Sequence, residues 1–342
     1  MKQFWIFDFG FSIGRSGGKK AIYFAFCALL FALCVSAEAQ QPMKVPRVGY
    51  LSAPSRSAQS ARHDAFRQGL RELGYMEGKN IVIEWRYAEG QLERLPDLAA
   101  ELVRLKVDVI VAGGLPAARA AKQVTTTIPI VMTGGDPVRA GIIASLARPG
   151  GNVTGLSDST VDVSTKRLEL LKEVIPKLSR VAILWNPANP TNPLQLKDTE
   201  AAAPALGMTV YAVEVKEVGE LERVFTGIKR ERAGGLLVPG DPMFTSNRKR
   251  ITDLAAKHRL PAMFTAPEYV DAGGLMAYGE NPADLHRRLA TYVDKILKGT
   301  KPADLPVEAA MKFEFIINLK TAKQIGVTIP PNLLARADRV IR

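Results

Sequence analysis

Cysteine and histidine are scarce in this chain: its 342 residues include two of the first and three of the second. Two thiols cannot build a disulfide scaffold, an all-cysteine zinc site or an iron–sulfur cubane. His63, His258 and His286 stand far apart, so no multi-histidine metal centre is expected, and each reads as a surface or helix-end residue. Phosphate-binding signatures are missing too. The loop after the first apolar run of the body reads Ser52-Ala53-Pro54-Ser55, without the Gly-x-Gly-x-x-Gly of a dinucleotide site, and there is no Gly-x4-Gly-Lys-Ser/Thr. Pairs such as Glu72 with Glu77 or Glu220 with Glu222 look like solvated charge, not an acid/base couple. Catalytic residues, a cofactor or a metal are therefore not expected. Beyond residue 40 no run approaches the roughly 20 apolar residues that span a bilayer.

What is present suits a large folded core: 47% hydrophobic and 23% charged residues, a balance wrong for a disordered or collagen-like chain. Lys2, Arg15, Lys19 and Lys20 lead into the apolar stretch Ala21–Val35, which ends at Ser36-Ala37-Glu38-Ala39-Gln40. A positive flank, a short apolar run and Ala-x-Ala form the secretory signal pattern, with cleavage expected between Ala39 and Gln40. Both cysteines, Cys27 and Cys34, fall inside the removed segment, which suits an oxidising compartment. Leu33 before Cys34 argues against lipoprotein processing, so the expected location is periplasmic and soluble. The segment carries four basic and two acidic residues, so the remainder keeps +10 of the formal +12. The patches Arg248-Lys249-Arg250 and Arg287-Arg288 lie in amphipathic helices without an aromatic platform, and no nucleic-acid partner is expected.

Beyond residue 44 short apolar runs alternate with helical patterns. Strands are expected at 45–51, 80–86, 107–112 and 129–133, with helices at 61–73, 92–105, 116–123 and 138–147. Such strand–helix repeats are the pattern of a parallel sheet covered on both faces. Arg148-Pro149-Gly150-Gly151-Asn152 interrupts the rhythm, which then restarts: strands at 181–185, 209–213, 235–238 and 262–265, helices at 164–175, 194–206, 218–229 and 244–258. One sheet does not comfortably take so many strands, so the fold class is α/β with two similar Rossmann-like lobes. A tail of short elements, with a helix at 283–297, fits a chain that returns to the first lobe and crosses once more.

Wound sheets bind ligands at the carboxyl ends of their strands. Glycines there admit close backbone approach, a following helix N-terminus favours an anionic group, and an Asp can hold a cationic one. In the first lobe this points to Ser52 and Ser55, to Gly113-Gly114-Leu115 as a carboxylate cradle, and to Gly135 with Asp136. In the second it points to Trp185 and Asn186, to Asp241, and to Phe264 and Glu268. Asp136 or Asp241 is the candidate ammonium partner. The Trp185 indole either stacks on a planar solute or packs between sheet and helix, and Trp85 and Tyr87 read as packing residues.

Phe66–Tyr75 (FRQGLRELGY), followed by Glu77-Gly78-Lys79-Asn80-Ile81, resembles the opening of the ABC transporter substrate-binding protein family, in its TrpX-like group. LAAELVRLKVDVI at 98–110, SLARPGGNVTGL at 145–156, WNPANP at 185–190 and YVDKILKGTKPADLP at 292–306 continue the likeness, which covers essentially 45–342. The resemblance implies a type I periplasmic-binding fold: two lobes joined by three crossing segments, here expected near 152–157, 275–279 and 306–315. Residues 43–153 with about 279–306 would form one lobe, and 154–278 with about 307–342 the other. It further implies a monomer that captures a small-molecule solute by lobe closure. The solute would pass to a membrane permease driven by a cytoplasmic ATPase. Family members bind tryptophan or phenylalanine among other solutes; where they often carry Thr before Pro, this chain has Leu115-Pro116. An exported sensor on the same scaffold and an exported α/β enzyme are the rival readings.

Overall fold

The computed structural model describes residues 45–158, 161–310 and 312–342; the expected signal segment and both cysteines lie outside them. Apolar runs without alternation make strands buried on both faces. The first sheet contains β1 (Arg47–Ser52), β2 (Val82–Tyr87), β3 (Val109–Gly113), β4 (Ile130–Thr133), β5 (Val153–Ser157) and the short β11 (Glu308–Ala309). Their order is β11-β5-β4-β3-β1-β2, all parallel. The second contains β6 (Arg180–Trp185), β7 (Thr209–Glu214), β8 (Gly235–Val238), β9 (Ala262–Phe264), β10 (Met276–Glu280), β12 (Phe313–Asn318) and β13 (Arg339–Ile341). Its order is β13-β12-β10-β9-β8-β6-β7, parallel except for the β10–β12 pair. The first five strands of each series follow the same spatial order, in which the second strand lies outside the first. Each sheet therefore has a switch point, between β1 and β3 and between β6 and β8, where a crevice opens at the carboxyl ends.

Successive strand residues face opposite sides and feed separate cores. Ile110 and Ala112 pack with Leu102 and Ala118, while Val109 and Val111 pack with Phe66 and Leu289. In the second lobe Leu236 and Val238 join Phe225 and Phe244, and Leu237 joins Leu168 and Leu171. The first sheet is covered by α1 (Ser60–Glu72), α2 (Leu95–Arg104) and α3 (Leu115–Val124). The second is covered by α4 (Val161–Val174), α5 (Asn192–Ala202), α6 (Leu221–Arg230), α7 (Pro242–Ser246), α8 (Arg248–Lys257) and α9 (Pro267–Asp271). The chain then returns as α10 (Pro282–Leu297), which lies on the first sheet against α1. Gly69 permits that contact, because a Cβ there would run into the Arg287 carbonyl. The end of the chain supplies α11 (Leu319–Ile325) and α12 (Pro331–Arg336) to the second lobe.

Several sequence expectations shift. The helix expected at 138–147 is a string of turns instead: Asp136 Oδ1 accepts from the Val138 and Arg139 N–H groups, and Gly141 takes a left-handed φ of 69°. The single helix expected at 244–258 is two, broken at Asn247, whose φ of −111° is not helical. Residues 153–157 and 276–280, expected near crossings, are strands β5 and β10. The chain changes lobes just after them, and again after β11, giving three crossings. Short elements at 267–271, 331–336 and 339–341 were not anticipated by periodicity. Among the described residues no helix is long and apolar enough to cross a membrane.

Candidate functional site

Both crevices open into one cavity of about 160 Å³. The loop after β3 reaches it with Gly113, Gly114 and Leu115, and the loop after β4 with Thr133 and Gly135. Opposite them stand Asn189 and Thr191 after β6, Gly240 and Asp241 after β8, and Glu280 at the end of β10. Two glycines are required here. Gly114 holds φ at 108° as it turns the chain into α3, and Gly135 holds 69° where a Cβ would overlap the Leu115 side chain. The α3 N-terminus, with Pro116 in its first turn, presents N–H groups that have no partner within the helix.

The charges lie deeper. Asp158, just beyond β5, accepts a hydrogen bond from the Gly135 N–H at the cavity wall, and burial pushes its carboxyl upward. Glu280 is 7% exposed and neither of its carboxyl oxygens has a hydrogen-bond partner. Burial, reinforced by the nearby Asp158, lifts Glu280 to about 9 despite the opposing pull of Arg167 and Arg288. Arg167 donates its Nε–H to the Tyr278 carbonyl at 2.7 Å, and burial lowers it to about 10. Arg62 pairs across the lobes with Glu268 at 3.0 Å. Burial works against both charges, yet the attraction holds Glu268 below the ordinary carboxylate range and Arg62 above its own. A guanidinium carries five N–H donors, so Arg62 and Arg167 retain donors for an anion.

Gln59, Thr133, Gln195 and His286 also line the cavity, and each carries a buried polar atom without a partner: Gln59 Oε1, Thr133 Oγ1, Gln195 Oε1 and His286 Nε2. Buried polar atoms are nearly always satisfied, so a cluster of exceptions on the residues of one cavity points to a ligand's donors there. Almost all of these atoms are acceptors. Among the described residues no group of three His, Cys, Asp or Glu side chains is placed to hold a metal ion.

Among the described residues, three side-chain contacts tie the lobes together beside the cavity. Arg139 forms a two-pronged pair with Asp198 at 2.8 and 2.9 Å, Arg62 meets Glu268, and the Ser55 N–H donates to Ser246 Oγ at 3.0 Å. The lobes are in a closed arrangement.

Of the residues singled out from sequence, Gly113, Gly114, Leu115, Gly135 and Asp241 line the cavity. Asp241, however, already accepts four hydrogen bonds. Oδ1 takes the Met243 and Phe244 N–H groups at 2.8 and 3.2 Å, and Oδ2 takes Asn189 and Asn186 at 2.9 and 3.2 Å. It caps α7 and organises the loop. Asp136 stays off the cavity wall, its carboxylate closing its own turn. Ser52 is buried with its hydroxyl toward the Pro54 carbonyl, Ser55 and Glu268 serve the contacts between lobes, and Asn186 acts through Asp241. Phe264 is wholly buried and stacks at 4.8 Å on Tyr269, which does reach the cavity. Trp185 ends β6 beside the edge strand β7 and is not among the residues that line the cavity. His63 and His286, expected on wetted faces, are each 2% exposed, because α10 covers α1.

The family model described as ABC transporter substrate binding protein matches residues 48–341. The chain belongs to that family. This substrate-binding protein is 29% identical over 264 residues, 77% of its length and 75% of the other's, to a tyrosine-binding protein of Clostridioides difficile strain R20291. It is 27% identical to a Streptococcus pneumonia ABC domain in complex with L-Trp, with a TM-score of 0.81 over 86% of this chain and 99% of that one. Against the ligand-free, open structure of a Clostridium difficile substrate-binding protein with adhesive properties, identity is again 27% but the TM-score is 0.63, over 87% and 99% of the chains. At equal identity, the lower TM-score against the structure described as open agrees with the closed lobes seen here. The fold is that of type I periplasmic-binding proteins.

Proposed function

We propose that this substrate-binding protein captures a single α-amino acid with an aromatic side chain between its lobes. It then delivers that molecule unchanged to a membrane permease driven by a cytoplasmic ATPase. The observation that carries the reading is Glu280, a buried carboxyl with two unpartnered oxygens, lining the same cavity as two guanidinium groups. A zwitterion needs both signs within a few ångströms. Glu280, with Asp158 beside it, suits the ammonium group; Arg62, Arg167 and the N-terminus of α3 suit the carboxylate. The cavity, at about 160 Å³, lies below the roughly 300–1,000 Å³ of drug-sized pockets and so suits one small molecule rather than a peptide. Leu115, Leu285, Pro116 and Tyr269 give it an apolar side for a ring. The relatives named for tyrosine and tryptophan support the aromatic class. The periplasmic location rests on the amino-terminal signal pattern, and delivery to a permease on the family.

Binding shifts the population toward closure, because only the closed form offers both lobes' contacts at once. The test is thermal melting of residues 40–342 with L-tyrosine and L-tryptophan, beside tyramine and 3-(4-hydroxyphenyl)propionate. At about one hundred times Kd a ligand adds roughly 2.7 kcal/mol to stability. At least one amino acid should raise Tm, and neither half-molecule should match it. Equal stabilisation by tyramine or by the propionate overturns the zwitterion reading, and no effect of either amino acid overturns the aromatic class.

A further inference from the structure

The tautomer of His286 says something about the solute's far end. Its Nδ1 lies 2.6 Å from the Pro282 carbonyl. A carbonyl oxygen only accepts, so Nδ1 carries the proton. Burial, together with the neighbouring Arg62, holds the ring neutral by pushing His286 down to about 3. A neutral imidazole has one N–H, so Nε2 is a bare lone pair. That nitrogen is buried, has no partner, and belongs to a residue lining the cavity.

The surroundings of His286 are aromatic. Tyr50 stacks beside it at 6.4 Å, with His63, Phe66 and Trp85 grouped around Tyr50, and Leu285 next to it in sequence also lines the cavity. Those rings belong to the core behind the cavity wall; on the wall itself Leu285 offers an apolar contact for a solute's ring, and Glu280 and Asp158 offer carboxyls for its ammonium group. We propose that His286 is a specificity-determining residue whose Nε2 accepts a hydrogen bond from a ring-borne O–H or N–H. The protein would then select aromatic amino acids that carry such a donor over those that lack one. This rests on the amino-acid reading above and deepens it.

A site built to accept a hydrogen bond discriminates because an analogue without the donor leaves the acceptor buried and unpaired. Calorimetric affinities of residues 40–342 for L-tyrosine, L-tryptophan, L-phenylalanine and O-methyl-L-tyrosine make the test. L-tyrosine or L-tryptophan should bind at least about tenfold more tightly than L-phenylalanine, with O-methyl-L-tyrosine also weak. In His286→Leu that ratio should fall to about twofold or less, and in His286→Gln, which keeps an acceptor, part of it should return. Should His286→Leu fail to fold, nitrogen-15 spectra of the histidine-labelled protein serve instead, with a shift of the unprotonated His286 Nε2 resonance expected on addition of the tighter ligand. Equal binding of L-phenylalanine, a ratio unchanged in His286→Leu, or an unmoved Nε2 resonance overturns the proposal while leaving the amino-acid reading in place. Absence of binding by all three natural amino acids overturns that reading and this proposal with it.

Discussion

Glu280→Gln separates two effects that ordinarily travel together. Glu280 is lifted from its ordinary value of 4.5 to about 9, chiefly by burial. An acid whose folded-state value is raised keeps a proton that the unfolded chain releases. Between those two values the native state therefore binds more protons, and stability falls as pH rises. Each pH unit in that window is worth about 1.4 kcal/mol, so at pH 7 the cost approaches about 3 kcal/mol as an upper bound. Glutamine has nothing to ionise and removes the slope. The variant should match wild type near pH 4.5 and gain on it by up to about 1.4 kcal/mol per unit toward pH 8. Solute binding should change in the opposite direction, weakening by about 1.5–3 kcal/mol, because an entering ammonium group can draw the proton off Glu280 and bond to its carboxylate, whereas glutamine offers only a neutral oxygen. Urea unfolding of ligand-free protein at several pH values, with calorimetry of the same samples, measures both. Parallel stability curves for the two proteins would refute the assignment of a buried, protonated Glu280. Unchanged affinity would remove it from the ammonium site.

The contacts between lobes give a second expectation. Arg139→Ala or Asp198→Ala removes a two-pronged pair from the closed form and should weaken solute affinity by about 1 kcal/mol; a double-mutant cycle checks that the two losses are not additive. Gly135→Ala places a Cβ against Leu115 at a left-handed backbone position and should cost about 1–3 kcal/mol of stability, read from urea midpoints. His286 is pushed down to about 3 by burial. The unfolded chain then takes up a proton below pH 6.5 that the native ring refuses, and stability should fall as pH drops from 6.5 toward 3. The contribution reaches about 3 kcal/mol by pH 4 as an upper bound, and a shallower slope in His286→Phe is the check.

The loops at Gly113–Leu115, Gly135 and Asp241 were legible because the rule that finds them is local: a parallel strand ends, glycine turns the chain, and a helix begins. The same rule cannot tell a ligand contact from a helix cap, and so both aspartates it offered for the ammonium group are occupied with backbone N–H groups. Glu280 stands just before Asn281-Pro282, a strand end followed by a helix start, so the signal was present but lay at the expected crossing. Arg62, His63 and His286 were hidden for another reason. The amphipathic pattern of α1 shows one apolar face, and only the return of α10 over it, from more than two hundred residues later, buries its polar side. Asp158 and Arg167 are joined to the cavity in the same long-range way. The helix expected at 138–147 failed on chemistry that was readable: Asp136 capping a turn and Gly141 at a positive φ.

A crystal structure of residues 40–342 grown with whichever of L-tyrosine and L-tryptophan raises Tm more puts the central claim to its most direct test. One intact molecule is expected between the lobes, its amino group against Glu280 and its carboxylate toward Arg62, Arg167 and the start of α3. A molecule seated elsewhere on the surface, or lying in the cavity with its amino group turned away from Glu280, would contradict it.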